Sequence, residues 1–345
     1  MHNRQAPGQE HPAGRGQMIR GHGPGGLVTA ADVRCGTGGM LRHEAVYYHG
    51  PDDYRSAVQD FLRAGPAGGE PALVAVPGPS AELIRDDLAT GGVGGDVVFT
   101  DITQLGRNPG RIISAVWDFL DRHPREPVRF VSEPAWPGRS AAELRETALH
   151  ESMLNQAFAS SPVSALCAYH VGVLAPRVIA SATRTHPYLR ASGTTQPNTD
   201  YAGLTRPRFG RSLSPPPARA RQLAYTTDLR AVREAVADYA EQAGLTGERL
   251  ADLIIAVSEV AANTTRHTSA GGTLHMWHTP SEVICEASDQ GQIADPLVGR
   301  RRSPGSGGLG LWVVHQLCDL VELRTGRRGT RIRMHMRLER PAAAG

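Results

Sequence analysis

Three polar residues, Glu259, Asn263 and His267, stand at i, i+4 and i+8 in the run Ser258-Glu-Val-Ala-Ala-Asn-Thr-Thr-Arg-His267. On a helix this spacing lines them along one stripe, opposite much of the apolar surface formed by Leu253, Val257 and Val260. The neutral amide oxygen of Asn263 suits a magnesium ion that keeps most of its waters and bridges phosphates. Glu259, one turn earlier, can take a proton from an attacking hydroxyl. A second stretch, Asp289-Gln-Gly291, ends a run of alternating apolar residues. A carboxylate there can accept a hydrogen bond from an adenine amino group, and the glycine lets a flat base approach the backbone. The third stretch, Gly305-Ser-Gly-Gly-Leu-Gly-Leu-Trp312, opens directly into an apolar helix. Glycines before a helix start leave backbone N–H groups free for phosphate, and the helix dipole favours the anion. Singly, these are a solvated helix face, a turn and a loop.

The elements that must position them follow from periodicity. Asp228 caps a helix running to about Ala243, with Leu229, Val232, Val236 and Tyr239 as its apolar stripe and Gly244 at its end. A second helix starts near Gly247 and turns Leu250, Leu253, Ile254, Val257 and Val260 inward. Strands are expected near Thr273 to His278 and Glu282 to Ser288, a helix at Leu309 to Asp319, and closing strands at Leu320 to Arg324 and Thr330 to Leu338. In the last strand Ile332, Met334, Met336 and Leu338 alternate with Arg331, Arg333, His335 and Arg337, which predicts one buried and one wet face. This part reads as an α/β sandwich.

Upstream the pattern changes. Apolar runs at Glu44 to Tyr48, Ala72 to Val76, Val97 to Thr100, Val128 to Val131 and Val163 to Tyr169 alternate with amphipathic stretches at Tyr54 to Arg63, Ser80 to Leu88, Pro109 to Arg122 and Ser140 to Ala159. That is the β-α-β order of a doubly wound parallel sheet. The chain therefore divides into a tail at 1–38, too poor in large apolar residues to order, a parallel α/β domain at 39–195, a Pro-rich linker at 196–218 and an α/β sandwich at 219–340. Few contacts are expected to cross the linker.

Composition removes several chemistries. The 345 residues contain no lysine, so all 37 basic residues are arginine, and neither a P-loop nor a Schiff-base mechanism is available. A net charge of +3 without a dense basic run gives no support for direct nucleic-acid binding. Cys35, Cys167, Cys285 and Cys318 include no C-x-x-C pair, and the 14 histidines show no H-x-x-x-H or H-E-x-x-H spacing, so sequence spacing points to no protein-built metal centre. His43, His170 and His186 read as buried, hydrogen-bonded histidines. No apolar run reaches the length of a membrane span and no signal peptide is evident, which predicts a cytoplasmic protein away from the membrane.

The Asn-bearing helix, the strand ending in D-x-G, a loop, the glycine-opened helix and the final Gly329-Thr330 strand occur in the order of the Bergerat ATP fold. The segment resembles the anti-sigma regulatory factors, the serine-kinase branch of the histidine-kinase-like (GHKL) ATPase superfamily, in which a Glu-x-x-x-Asn-x-x-x-His helix and a G-x-G-L-x-L helix start recur. The resemblance implies ATP and Mg2+ as cofactors, Glu259 as general base, Asn263 as magnesium ligand and Asp289 as adenine reader. It also implies a nucleotide-binding set of His267, Gly291, Gly305, Gly307, Gly308, Leu309, Gly310, Leu311 and Thr330. Implied partners are a sigma factor or an anti-sigma-factor antagonist that is phosphorylated on serine or threonine, with a homodimer left open. Arg300, Arg301 and Arg302 either meet a γ-phosphate or form a solvated basic loop. The upstream domain is similar to the MEDS sensory domain, on His43-Glu-Ala-Val-Tyr-Tyr, Phe61-Leu-Arg-Ala-Gly, Leu166-Cys-Ala-Tyr-His170 and Thr185-His186-Pro187, which implies a small organic ligand there. Two other readings stay open: a sensor histidine kinase with His150 as phosphoacceptor, and a nucleotide-gated binding module without phosphotransfer.

Overall fold

The computed structural model describes residues 40–64, 69–91, 96–203, 212–302 and 308–338. The stretch 1–38, expected to lack order, lies outside the described residues, as do Gly305 and Gly307.

The first part contains β1 (Arg42–Tyr48), α1 (Pro51–Arg63), β2 (Ala72–Val76), α2 (Gly78–Gly91), β3 (Val97–Asp101), α3 (Ile102–Leu105) and α4 (Gly110–Arg122). It continues through β4 (Val128–Ser132), α5 (Ala141–Ala157), β5 (Val163–His170), α6 (Pro176–Thr185), β6 (Tyr188–Ala191) and β7 (Thr194–Pro197). The sheet order is β3-β2-β4-β5-β1-β6-β7, parallel throughout except for the closing β6–β7 hairpin. Central strands such as β2 and β4 are buried along their whole length because helices cover both faces. The expected strands and helices all form. The hairpin β6–β7 carries the sheet into the stretch read as linker; its short polar strands gave no apolar run to find. Helix α5 is fixed at its start by a capping box, in which Glu143 N donates to Ser140 Oγ and Ser140 N to Glu143 Oε2 at 2.7 Å.

The second part contains β8 (Arg221–Tyr225), α7 (Leu229–Gln242), α8 (Gly247–His267), β9 (Gly272–His278), β10 (Glu282–Asp289), α9 (Leu309–Leu317), β11 (Leu320–Gly326) and β12 (Gly329–Arg337). The strands form an antiparallel sheet in the order β11-β12-β10-β9-β8. The three helices pack on one face through a core that includes Val232, Val257, Leu274, Cys285, Val314 and Met334. The chain is thus a parallel α/β layer followed by an α/β sandwich, the architecture expected from the periodicities.

Two expectations fail, and for one reason. The polar face of β12 is not wet: Arg333 and His335 are 7% and 6% exposed. Residues 212–217 cross that face, where the Leu213 and Ser214 carbonyls accept from Arg331 and Arg333, and α5 lies over the ends of β11 and β12. Nor are contacts across the linker few. Arg324 donates to Glu146 at 2.5 Å, Arg337 to Glu143 at 2.8 Å and Arg145 to Glu322 at 3.4 Å. Asn108 and Arg111 donate to the carbonyls of His315 and Cys318 at the end of α9, and Trp312 Nε1 donates to Ser114 Oγ at 2.9 Å. Alternating charges read as solvated because each is polar; here they pair across the sheet and across the junction, so burial is permitted. Within this network burial opposes the Glu322 charge, but His335, Arg333 and Arg324 outweigh it and hold the carboxyl down to about 2. Burial likewise works against a charged His335, yet Glu282 and Glu322 keep it above its ordinary value.

Candidate functional site

Helix α8 buries Leu253, Ala256, Val257, Val260, Ala261 and Thr264 against the sheet. This orientation turns Glu259 and Asn263 toward the first turn of α9, where both are half-buried, and leaves His267 exposed. Gly308 caps α9 at φ 86°, a left-handed conformation that favours glycine. Two residues on, a Cβ at Gly310 would fall 2.5 Å from Glu259 Oε2 and 3.4 Å from Asn263 Nδ2. A side chain at this position would have to displace the Glu259 carboxylate.

Asn263, His267, Asp289, Gly291, Gly308, Leu311 and Thr330 line one cavity of about 370 Å3, within the range of small-molecule sites. Residues distant in the sequence therefore converge on one cavity. Glu259 and Gly310 adjoin this cavity beside Asn263. Leu309 is 48% exposed and does not line it. A more open groove of about 690 Å3 lies on the other side of Asp289, bordered by Pro215, Tyr225, Glu286 and Arg331, away from the α9 start.

Asp289 is held by two donors. Thr264 Oγ1 donates to Oδ2 at 2.7 Å and Gly291 N to Oδ1 at 2.8 Å. Tyr225 donates to Thr264 Oγ1 at 3.2 Å, and Thr330 Oγ1 donates to the Gly291 carbonyl at 2.8 Å. Each carboxylate oxygen keeps an acceptor position, so Asp289 can still receive an amino group. Sequence reasoning missed Thr264, Tyr225, Ile293 and Val298. The signal for Thr264 was present, since it follows Asn263 on the turn that faces the D-x-G strand; the two apolar loop residues carried none.

The donor set fits a purine nucleotide with a divalent cation: a carboxylate fixed by Thr264 and Gly291 N, backbone N–H groups at the start of α9, and the amide oxygen of Asn263. Asn263 Oδ1 accepts from Arg266 Nη1 at 2.8 Å, and Arg266 is exposed, so it can swing away from a competing cation. The loop arginines divide, Arg301 and Arg302 being exposed as a solvated loop would have them and Arg300 being buried. Arg300 is buried near Glu146 and Arg324, Arg301 stacks over Trp117 of α4 at 3.9 Å, and Arg302 lies over Trp312 at 5.7 Å. His150 is 1% exposed inside α5, and burial pushes its imidazole down to about 4.

Gly310→Val is expected to drive a branched side chain into the Glu259 carboxylate and lower ATP affinity by about tenfold or more, ~1.4 kcal/mol. Calorimetry against Gly78→Ala, whose Cβ would meet nothing within 4 Å, checks it.

Residues 42–187 match the family model described as MEDS, the MEthanogen/methylotroph, DcmR Sensory domain, and residues 223–336 match the Histidine kinase-like ATPase domain. Among curated proteins the chain is similar to the serine-protein kinase RsbW of Halalkalibacterium halodurans, 32% identical over 109 residues, which cover 27% of this chain and 66% of that protein. The chain thus spans just under two thirds of that relative's length. Among solved structures it is similar to the RsbU and RsbW domains of Rv1364c from Mycobacterium tuberculosis, with 21% identity, a TM-score of 0.29, and coverage of 36% of this chain and 34% of that one. Both resemblances read from the sequence are borne out by the two family models and the RsbW match. No helix among the described residues is long and apolar enough to cross a membrane.

Proposed function

We propose that this chain, in which a MEDS segment precedes a histidine kinase-like ATPase segment, is a cytoplasmic ATP-dependent regulatory switch of the anti-sigma-factor kinase type. It binds a sigma factor, phosphorylates a serine or threonine on the antagonist, and is modulated through its first domain, residues 39–195. The observation that carries this reading is the convergence of Asn263, Asp289, Gly291, Gly308 and Thr330 on one cavity, with Glu259 at its edge against Gly310.

In this reading Asp289, oriented by Thr264 and Gly291 N, accepts from the adenine amino group. Backbone N–H groups at the start of α9 hold the phosphates, and Asn263 holds Mg2+ once Arg266 has turned away. ATP supplies the phosphoryl group to be transferred. Glu259 takes the proton of the attacking hydroxyl, and the half-buried position beside α9 keeps its carboxylate aimed at the phosphate end. The histidine-kinase reading loses support from the burial of His150, which no second domain can approach without unfolding α5.

Incubating the chain with labelled ATP and Mg2+, with and without candidate sigma factors and antagonists, is expected to label a partner serine or threonine. Label on a histidine of the chain itself would overturn the assignment. Asn263→Ala is expected to remove the Mg2+-dependent part of ATP binding, since it deletes the only protein ligand proposed for the ion. Unchanged affinity in calorimetry with Mg2+ present would dismiss Asn263 from that role.

A further inference from the structure

Outside the ATP cavity, four side chains from four separate elements meet in the interior of the first part. His43 on β1, Glu151 on α5, Cys167 on β5 and His186 just beyond α6 each bring one donor atom to a common point, all within 4.8 Å of one another. All four are buried, none more than 2% exposed. His43 Nε2 and His186 Nε2 lie 3.2 and 3.1 Å from Glu151 Oε2, and His43 Nε2 lies 3.4 Å from Cys167 Sγ.

The outer nitrogens fix which atoms face inward. Asn155 Nδ2 donates to the carbonyls of Glu151 and Thr185, so its Oδ1 faces His43 Nδ1 at 3.0 Å and must be the acceptor. His186 Nδ1 lies 2.7 Å from the Ala182 carbonyl, which can only accept. Both Nδ1 atoms therefore carry hydrogen, and in each neutral ring Nε2 presents a lone pair to the centre. There the two lone pairs confront the Glu151 carboxylate, and the Cys167 thiol, 3.4 Å from His43 Nε2, is the single weak donor among the four groups. Acceptors at these separations in a dry interior repel unless positive charge sits between them. The separations of 3.1, 3.2 and 3.4 Å lie at or slightly inside the edges of a tetrahedral site, about 3.3–3.8 Å for metal–ligand bonds of ~2.0–2.3 Å, so an ion would spread these donors by a few tenths of an ångström.

We propose that His43, Glu151, Cys167 and His186 form a binding site for a borderline-soft divalent cation of the zinc class. Two imidazoles, one carboxylate and one thiolate are a donor set that selects Zn2+ or Co2+ over Mg2+ or Ca2+. Binding releases the Cys167 proton to solvent. Asn155 and the Ala182 carbonyl are the outer partners that orient the two rings. A cavity of about 300 Å3 whose wall includes Glu151 and Tyr169 reaches the cluster and gives the ion a path in. Sequence spacing could not reveal the site, since its ligands stand at 43, 151, 167 and 186 and no two share one helical face.

The test uses the full chain and the metal alone. Protein purified without chelator is expected to hold about one Zn2+ by elemental analysis. After the zinc is stripped, Co2+ should give tetrahedral d–d absorption together with a near-ultraviolet thiolate-to-cobalt charge-transfer band. Cys167→Ser should bind cobalt without that band, and Asn155→Ala should weaken binding about 10–100-fold while leaving ATP binding intact. The tail also offers His2, His11, His22 and Cys35, so the spectra are taken in a Cys35→Ser background, where cobalt held by the tail gives no thiolate band. Absence of a stoichiometric ion and of the charge-transfer band in the wild-type chain overturns the proposal and assigns the positive charge to protons on the imidazoles. A band that persists in Cys167→Ser overturns it equally.

Discussion

Glu259→Gln is expected to retain ATP binding and to lose about 10²–10⁴-fold in phosphotransfer, the range that one positioned general base supplies. The amide keeps the shape that packs against Gly310 and cannot take a proton. Binding depends on Asp289, the start of α9 and Asn263, none of which touches the deleted charge through a hydrogen bond. Single-turnover transfer to a labelled partner, beside calorimetric ATP affinity, separates the two quantities. Undiminished transfer would make Glu259 a structural residue and favour the reading in which nucleotide gates binding alone.

Glu322→Ala is expected to destabilise the chain by about 3–5 kcal/mol, the loss typical when one partner of a buried ion network is removed. Glu322 is fully buried and lies 3.3 Å from His335 Nε2, 3.8 Å from Arg333 and 3.9 Å from Arg324. Its removal leaves these cations facing one another. The pH dependence follows from the depressed carboxyl. A group held at about 2 against an ordinary 4.5 contributes stability that is present above 4.5 and lost as pH falls toward 2. The wild-type chain should therefore lose stability through that acid window, and the variant should start lower and fall less within it. His335, held above its ordinary value, acts with the opposite sign: its contribution fades as pH rises through its folded pKa. Urea unfolding at several pH values measures both.

Periodicity was enough for the central strands and the longer helices, which write their burial into runs of apolar residues, but not for the short β6, β7 and β8 or for α3 and α6. Most of the candidate site was legible for a related reason: a helical stripe, a strand end and a glycine-opened helix each carry a local signature. What escaped was everything made by two segments that meet only in space. Thr264 orients Asp289 from 25 positions away. Arg331 and Arg333 looked solvated until residues 212–217 crossed over them. Proline-rich composition described the connection but not the surfaces on either side of it, and those surfaces are matched by Arg107–Asp319, Arg324–Glu146 and Arg337–Glu143 pairs. A fragment beginning near Ala218 would expose that matched face, including the fully buried Glu322.

Helix α9 is gripped at both ends. Its first turn lies against Glu259 and Asn263, and its last carbonyls accept from Asn108 and Arg111 of the other sheet's helical layer. Nine residues of helix form a rod of about 13 Å, short enough to move as one piece. Any displacement of the rod is felt by both grips, and such linkage is symmetrical. Whatever factor undocking of the parallel layer applies to nucleotide affinity, nucleotide must apply the same factor to docking. A titration at either end of the rod thus measures the coupling free energy for both, and a ligand of the parallel layer can be detected by its effect on ATP affinity before its own site is known.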